Sequence, residues 1–397
     1  MKTIIFTLIL LINTTLTANQ ATVEKPQESE ENIKEFAETM HKLLRKPTEA
    51  EQQARDLYAQ WSGQLTDYLL NHEQPYAQVI GLNEIQAMVE TSAGQDNQED
   101  IVAIRQNYAD HINRLVKDEA LNIETYQILE ALCFKIELDG YCDRQALLDK
   151  QIKLYPNQLS VYFQPLQLAI QSGNNELAAN LMKVMSGTQQ MTQVDYLLPE
   201  FITLIKDYTK TNPIPEKALL REKNDLLATQ DMSDKQIALM HEKMPEAQVY
   251  ITLIGMQMAL PIPQYQVLKE ACQNNPEYSA ECLYIAKIMI HKGNTVVTKA
   301  IGHIINMAVY ELNNQQDMLL ASQANHERFK QHVKCLGKNQ GQNNKFIDDY
   351  FDNDYAELWL TAEHELDRQF NIANYLYKKR LSEDAENPLD PATCNVQ

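Results

Sequence analysis

Apolar residues along most of the chain recur three and four positions apart, the spacing that places them on one face of an α-helix. Pro47 ends a first predicted helix, and Thr48 and Glu51 form a capping-box pair that opens a second. Similar patterns continue over residues 76–90 and 99–117. The apolar face of the second helix comprises Ala54, Leu57, Tyr58, Trp61, Leu65, Tyr68 and Leu69. No convincing run alternates apolar and polar residues as a half-buried strand does, so the pattern predicts an all-α fold.

Two segments 120 residues apart, YPNQLSVYFQPLQLAIQSGN and NPEYSAECLYIAKIMIHKGN, share the same turn residues. Pro156 precedes Gly173 by seventeen residues, Pro276 precedes Gly293 by the same interval, and an Asn follows each Gly. A Pro suits the first turn of a helix, where its missing N–H would be unpaired in any case. A Gly-Asn pair supplies the left-handed backbone that ends a helix. Each segment, with the apolar helix that follows it, therefore predicts an antiparallel helical hairpin.

This arrangement resembles the tetratricopeptide repeat, in which a Pro opens helix A, a Gly followed by Asp or Asn ends it, and a small residue early in helix B packs closely. Ala178 fits that small-residue position, and Thr298 occupies it in the second copy. Tyr162 and Cys282 fall where the family has a large aromatic residue. Leu166 departs from the family pattern, which has a small residue at that place in helix A.

Two neighbouring segments extend the resemblance to about a third of the chain. Residues 126–154 contain Gly140 as a hairpin turn, and residues 245–274 place Gly255 at the small position of helix A, with a Pro at the start of the segment. The resemblance implies an array of antiparallel helical hairpins, an αα-superhelix whose concave face binds peptides or partner proteins. Similar hairpins packed together without that superhelix are the alternative.

The chain divides into helical arrays joined by TNPIPEKALL, whose two prolines interrupt the helical pattern. The predicted organisation is a signal peptide at 1–18, a flexible acidic lead-in at 19–32, a helical array at 33–210 with tetratricopeptide-like hairpins near 123–187, a second array at 211–312 with hairpins near 245–310, and a C-terminal helical segment and tail at 313–397.

The first twenty residues, MKTIIFTLILLINTTLTANQ, have one Lys, a short apolar run and then small polar residues. This order is typical of a secretory signal peptide, and the apolar run is too short to span a bilayer. Cleavage is predicted after Ala18, with Ala21 as the alternative. The sequence therefore predicts a periplasmic or secreted protein with no integral membrane segment after cleavage.

Export changes the interpretation of the six cysteines, because an even number in an oxidising compartment favours structural disulfides. Fifteen connectivities are possible, and the sequence alone proves none of them. Pairs that are close in sequence and flank a predicted turn are favoured, which leaves the last two cysteines to hold the tail. The predicted disulfide residues are Cys133 with Cys142, Cys272 with Cys282, and Cys335 with Cys394. No Cys-x-x-Cys redox motif or zinc-type spacing is present.

Other candidate chemistry is weak. His332 and Cys335 share a helical face, but His326 lies off it, so no metal site is predicted. The acidic run FIDDYFDNDYAE lacks the Gly and the spacing of a calcium loop, and a solvated, helix-capping segment is the preferred interpretation. The carboxylates of this run are Asp348, Asp349, Asp352, Asp354 and Glu357.

Charge and motifs exclude several classes of function. The chain has 54 Asp and Glu against 35 Lys and Arg, a net charge of -19. This balance argues against binding to nucleic acid or to an anionic membrane surface. No nucleophile elbow, phosphate loop, dinucleotide fingerprint or zinc-protease motif occurs, so no catalytic residue and no cofactor is predicted.

Tyrosines are numerous, at 19, and many lie on helix faces, such as Tyr58, Tyr162, Tyr284 and Tyr310. Most are expected in the core, whereas some could line a peptide groove. The resemblance implies a non-enzymatic protein that binds a protein or peptide partner in the cell envelope. The alternatives are a hydrolase acting on a cell-wall or polysaccharide substrate and a secreted effector that binds a host protein.

Overall fold

The described part of the protein consists of helices and their connections. The structure is a computed structural model that describes residues 47–92, 98–118, 121–134, 142–229, 232–338, 349, 351–382 and 388–394, with side chains left out at 86–105 and at 107, 228 and 229. Within those ranges the fold is all-α and contains no β-strand, as the sequence predicts. The signal peptide, the acidic lead-in, the first predicted helix and Gly140 lie outside the described residues. No described helix is both long and apolar enough to cross a membrane.

The α-helices are, in chain order, α1 (Glu49–Leu70), α2 (Pro75–Ser92), α3 (Gln98–Lys117), α4 (Ile123–Cys133), α5 (Arg144–Leu154), α6 (Phe163–Gln171), α7 (Asn175–Ser186), α8 (Pro199–Thr211), α9 (Leu220–Thr229), α10 (Asp234–Met258), α11 (Tyr265–Asn274), α12 (Ser279–Lys292), α13 (Val296–Leu312), α14 (Gln316–Gly337), α15 (Asn353–Leu360) and α16 (Glu365–Ser382).

Helix starts follow local capping chemistry. The Thr48 hydroxyl accepts a hydrogen bond from the Glu51 N–H, and the Glu51 carboxylate accepts one from the Thr48 N–H, so the predicted capping box is confirmed. Ser233 and Gln236 form a second capping box at α10. That helix runs through Pro245, and the prediction that Pro245 opens a hairpin helix is wrong. The sequence around Pro245 resembles a helix start, but α10 begins after its cap at Ser233, twelve residues earlier.

Two large hydrophobic clusters form the core. The first joins α1–α5, α8–α10 and α15 around side chains such as Trp61, Leu129 and Phe201. The second joins α6, α7 and α11–α13 around side chains such as Phe163 and Ile285. Both clusters draw residues from before and after residue 210, so the two predicted arrays share their cores. The division of the chain into those arrays stays a prediction.

The two segments with matching turn residues pack against each other. Helices α6 and α7 come from the first segment, α12 and α13 from the second, and α7 contacts α12 directly. α11, which precedes the second segment, contacts both α6 and α13. Hairpins far apart in sequence thus share one apolar core, whereas a superhelix stacks each repeat on the next one in the chain.

The matching turn residues have different roles in the two copies. Gly173 adopts φ +69°, the left-handed conformation predicted for the end of a hairpin helix, and Asn174 then caps α7. Gly293 has φ −59° and ψ 134°, so the same prediction is wrong there. Its glycine is required by crowding instead, since a Cβ would lie 2.5 Å from the Met289 carbonyl oxygen and 2.6 Å from the Thr298 methyl carbon.

The prolines of the two copies also differ. Pro276 begins a short 3₁₀ turn that leads into α12, close to the predicted place. Pro156 lies in a turn before the helical residues begin, where its carbonyl oxygen accepts a hydrogen bond from the Tyr162 hydroxyl at 2.8 Å. The matching prolines therefore lie at a turn in both segments, but the helices that follow them do not begin at equivalent positions.

All six cysteines are paired, and the prediction of disulfide bonds is confirmed. The Cα atoms lie 5.6 Å apart in Cys133–Cys142, 5.7 Å in Cys272–Cys282 and 5.6 Å in Cys335–Cys394. The last pair joins the end of α14 to the tail. Among the described residues, the buried part of the cluster at this bond consists of Leu336, Ala373 and Cys394 itself, so the covalent bond offsets a small core.

The acidic run caps a helix but is less solvated than predicted. Asp352 accepts hydrogen bonds from two backbone N–H groups at the start of α15. The Lys379 ammonium pairs with Asp349 at 3.1 Å and with Asp352 at 2.7 Å, and both carboxylates are largely shielded from solvent. A fixed ion pair therefore anchors this segment to α16. Asp348 lies outside the described residues.

We predict that Gly302→Ala lowers the free energy of unfolding by about 1–3 kcal/mol, because the added Cβ would lie 2.9 Å from Met289 Cβ and from Ile290 Cγ1 on the facing helix. Gly255→Ala is the matched control, since a Cβ there meets nothing within 4 Å. That change is expected to stabilise α10 by about 0.5–1 kcal/mol. Urea unfolding measures both, and equal effects of the two changes would contradict the packing described.

We also predict that replacing Cys272 and Cys282 with Ser lowers the free energy of unfolding by about 3 kcal/mol, the chain-entropy value for a loop of this size. Removing Cys335 and Cys394, which are 59 residues apart, is expected to cost about 4 kcal/mol in the same treatment. Denaturant unfolding of the two double variants gives the comparison. A free thiol in the denatured, unreduced protein would contradict the pairing.

Candidate functional site

A groove of about 640 Å³ runs over α12, α13 and α14. Four of its lining residues on α12 are Ala280, Tyr284, Lys287 and His291. They are spaced by four, three and four positions, so they share one exposed face of the helix. The groove, called here the Tyr284 groove, is lined by Ala280, Leu283, Tyr284, Lys287, Ile290, His291, His303, Asn306, Tyr310 and Asn325. Aromatic and basic side chains lie together in this groove.

Close packing of α12 against α13 forms the floor of the groove. The two helices are antiparallel, and Gly302 approaches Ala286, Met289 and Ile290 so closely that no side chain fits between them. Thr295 caps α13 by accepting a hydrogen bond from the Thr298 N–H. His303 follows Gly302 directly, is buried and lines the groove.

A buried polar junction fixes the turn between the two helices. The Asn294 side chain donates to the Gln193 carbonyl oxygen at 2.8 Å and accepts from the Gln193 N–H at 2.9 Å. At the same turn, Glu365 of α16 accepts a hydrogen bond from the Val296 N–H at 2.6 Å. The hairpin that carries the groove is thus tied to both the preceding loop and the C-terminal helix.

Tyr284 is the most exposed aromatic side chain of the groove, with 62% of its surface accessible. Tyr310 lies on the facing helix and lines the same space. Tyr162, in contrast, is buried, and the Tyr58 hydroxyl lies 3.2 Å from the Thr252 hydroxyl. Some tyrosines were expected to line a groove, and Tyr284 and Tyr310 do so. Most were expected in the core, and Tyr162 is buried there.

His303 is only 7% exposed, and its Nδ1 has no hydrogen-bond partner among the described residues. Its ring stacks on His326 of α14, with the ring centroids 5.5 Å apart, and lies 5.3 Å from the Phe329 ring. Burial, together with the nearby charges of His326, His291 and Lys299, lowers the pKa of His303 to about 4. The imidazole is therefore neutral at neutral pH, and one buried ring nitrogen is unsatisfied.

The third helix of the groove is tied to the second by polar contacts. The Asn306 amide donates to the Ser322 hydroxyl at 3.3 Å. His332 lies further along α14, where its Nδ1 is 2.9 Å from the Cys394 carbonyl oxygen, and Cys335 is in a disulfide. Among the described residues, no group of three His, Cys, Asp or Glu side chains is placed to hold a metal ion.

The predicted disulfides support the groove without lining it. Cys282 lies two residues after Ala280, so its bond to Cys272 fixes the start of α12 against α11. The Cys133–Cys142 bond joins the end of α4 to the chain just before α5, and the Cys335–Cys394 bond joins the end of α14, beyond the lining residue Asn325, to the tail. Sequence reasoning missed His303 and Gly302, and the only available signal was the four-three-four spacing around Tyr284.

Outside the groove, the acidic side chain of Asp195 forms contacts that stabilise the fold. Asp195 bonds to Arg368 at 3.0 Å, and the Asn294 amide donates to the same carboxylate. Burial raises the pKa of Asp195 to about 7, which the Arg368 charge opposes. A shared, perturbed carboxylate can serve as a general acid, but here its oxygens are occupied by contacts that join α16 to the core.

No protein-family model, no curated protein and no solved structure matches this chain. Function is therefore inferred from the residues and geometry of the chain itself.

Proposed function

We propose that this protein is a non-enzymatic binding module whose stacked helical hairpins present the Tyr284 groove to a peptide segment of a protein partner. The observation that carries the proposal is the combination, in one concave surface, of a widely exposed Tyr284 and a buried, unsatisfied His303. Interfaces derive much of their affinity from aromatic anchors beside desolvated polar groups. An unpaired buried nitrogen is costly in the free protein and gains a partner on binding.

We propose further that the protein is exported to the periplasm or the cell exterior. The N-terminal sequence has the order of a signal peptide, and the three cysteine pairs at disulfide distance are compatible with an oxidising compartment. The hairpins formed by α6–α7 and α12–α13 support a tetratricopeptide-like origin. In this proposal, the contact between hairpins that are distant in sequence makes the protein a variant of that architecture.

A hydrolase of cell-wall or polysaccharide substrates is the second hypothesis, and it has less support. Such an enzyme needs two carboxylates flanking the bond to be cleaved. None of the described residues that line the Tyr284 groove is acidic. A secreted effector that binds a host protein would use the same kind of surface and would differ only in its partner.

We predict that Tyr284→Ala weakens partner binding about five- to thirtyfold, the effect of losing one aromatic anchor. Ile262→Ala is the matched control, because Ile262 is 65% exposed and lies outside the groove. The measurement is affinity capture from the envelope fraction with quantitative mass spectrometry, after circular dichroism shows that both variants fold. Equal capture by both variants, or no partner at all, would contradict the proposal.

A further inference from the structure

We infer that the Tyr284 groove selects an acidic peptide segment, with the carboxylate of an Asp or Glu side chain lying against Lys287 and above His303. This inference rests on the proposed function and adds the chemical class of the ligand. It follows from the charge of the lining, the surroundings of the buried histidine and the length of the groove.

The charge of the lining is opposite to that of the protein. The chain carries a net charge of -19, yet the described lining residues include Lys287, His291 and His303 and no Asp or Glu. Lys287 is exposed and forms no ion pair with a described carboxylate. The local positive charge of the lining favours an anionic segment at short range, whereas the more distant acidic charge of the chain acts against it and is screened by salt.

Basic groups lie near His303 on α12, α13 and α14, and Glu327 of α14 is an acidic group close to them. His291 and Lys287 lie on α12, Lys299 on α13 and His326 on α14, while Lys330 and Glu327 act on His326 from further along α14. A carboxylate placed among these groups reverses the local field and favours protonated imidazole.

The dimensions of the groove suit a peptide better than a small ion. The α12 face from Ala280 to His291 comprises twelve residues, and the eleven steps between them span about 16 Å at 1.5 Å per residue. An extended chain rises about 3.3 Å per residue, so about five peptide residues fill this length. Tyr284 lies between the ends of this α12 face and Tyr310 lines the groove from α13, so both can pack against the peptide.

The test uses the full mature chain and three immobilised pools of amidated, acetylated octapeptides, which differ only in a central Glu-Glu, Gln-Gln or Lys-Lys pair. At pH 6 and low salt, the Glu-Glu pool is expected to retain at least about threefold more protein than the Gln-Gln pool, and the Lys-Lys pool less than either. Lys287→Gln is expected to reduce Glu-Glu retention about threefold, within the range of a partly exposed charge pair. Lys292→Gln on the same helix, outside the lining, is the matched control and is expected to have no effect.

The outcomes separate the two proposals. Equal retention by all three pools that is still lost in Tyr284→Ala overturns the acidic preference and leaves the proposed function standing. Retention that is indifferent to Tyr284→Ala overturns both. Free glutarate or inorganic phosphate is added at a concentration equal to that of the peptide carboxylates. If either one fully displaces the protein from the Glu-Glu pool, the proposed peptide ligand is overturned in favour of a small anion. His303→Gln is expected to abolish the difference between Glu-Glu and Gln-Gln, and if it fails to fold, the Lys287→Gln result decides.

Discussion

The close packing of α12 against α13 is the constraint on which the rest of the candidate site depends. At Gly302 and Gly293 the facing atoms leave no room for a side chain, so the two helices approach each other more closely than larger residues allow. The two helices line the groove together, and His303 follows Gly302 on the second of them. The rings of His326 and Phe329 on α14 pack against His303, whose buried Nδ1 has no described partner, a cost that a binding site can recover when it is occupied.

The surrounding structure holds this hairpin in place from three sides. Asn294 joins its turn to the loop at Gln193, Glu365 caps its second helix from α16, and the Cys272–Cys282 bond fixes the start of its first helix. The shared core beneath it comes from hairpins that are distant in sequence. A site on a frame of this kind is preorganised, and a ligand therefore loses little affinity to ordering the protein.

The features that could be predicted from the sequence depend on interactions between residues that are close together in the chain. The capping box at Thr48, the left-handed Gly173 and the cysteine pairs across short turns depend on residues within about ten positions of each other, and these predictions are confirmed. The prediction that Pro245 opens a helix is wrong because the helix is capped twelve residues earlier, at Ser233, and continues through the proline. Gly302 and His303 could not be recognised, since their importance arises from helices that meet only in the folded chain.

The most direct measurement of the central claim is a histidine-ring NMR titration of the mature protein with an octapeptide that contains the central Glu-Glu pair. The account predicts that the His303 and His326 ring resonances shift on binding, and that the pKa of His303 rises from its value of about 4 in the free protein. Shifts confined to residues outside the groove, or a bound state in which His303 titrates as in the free protein, would contradict it.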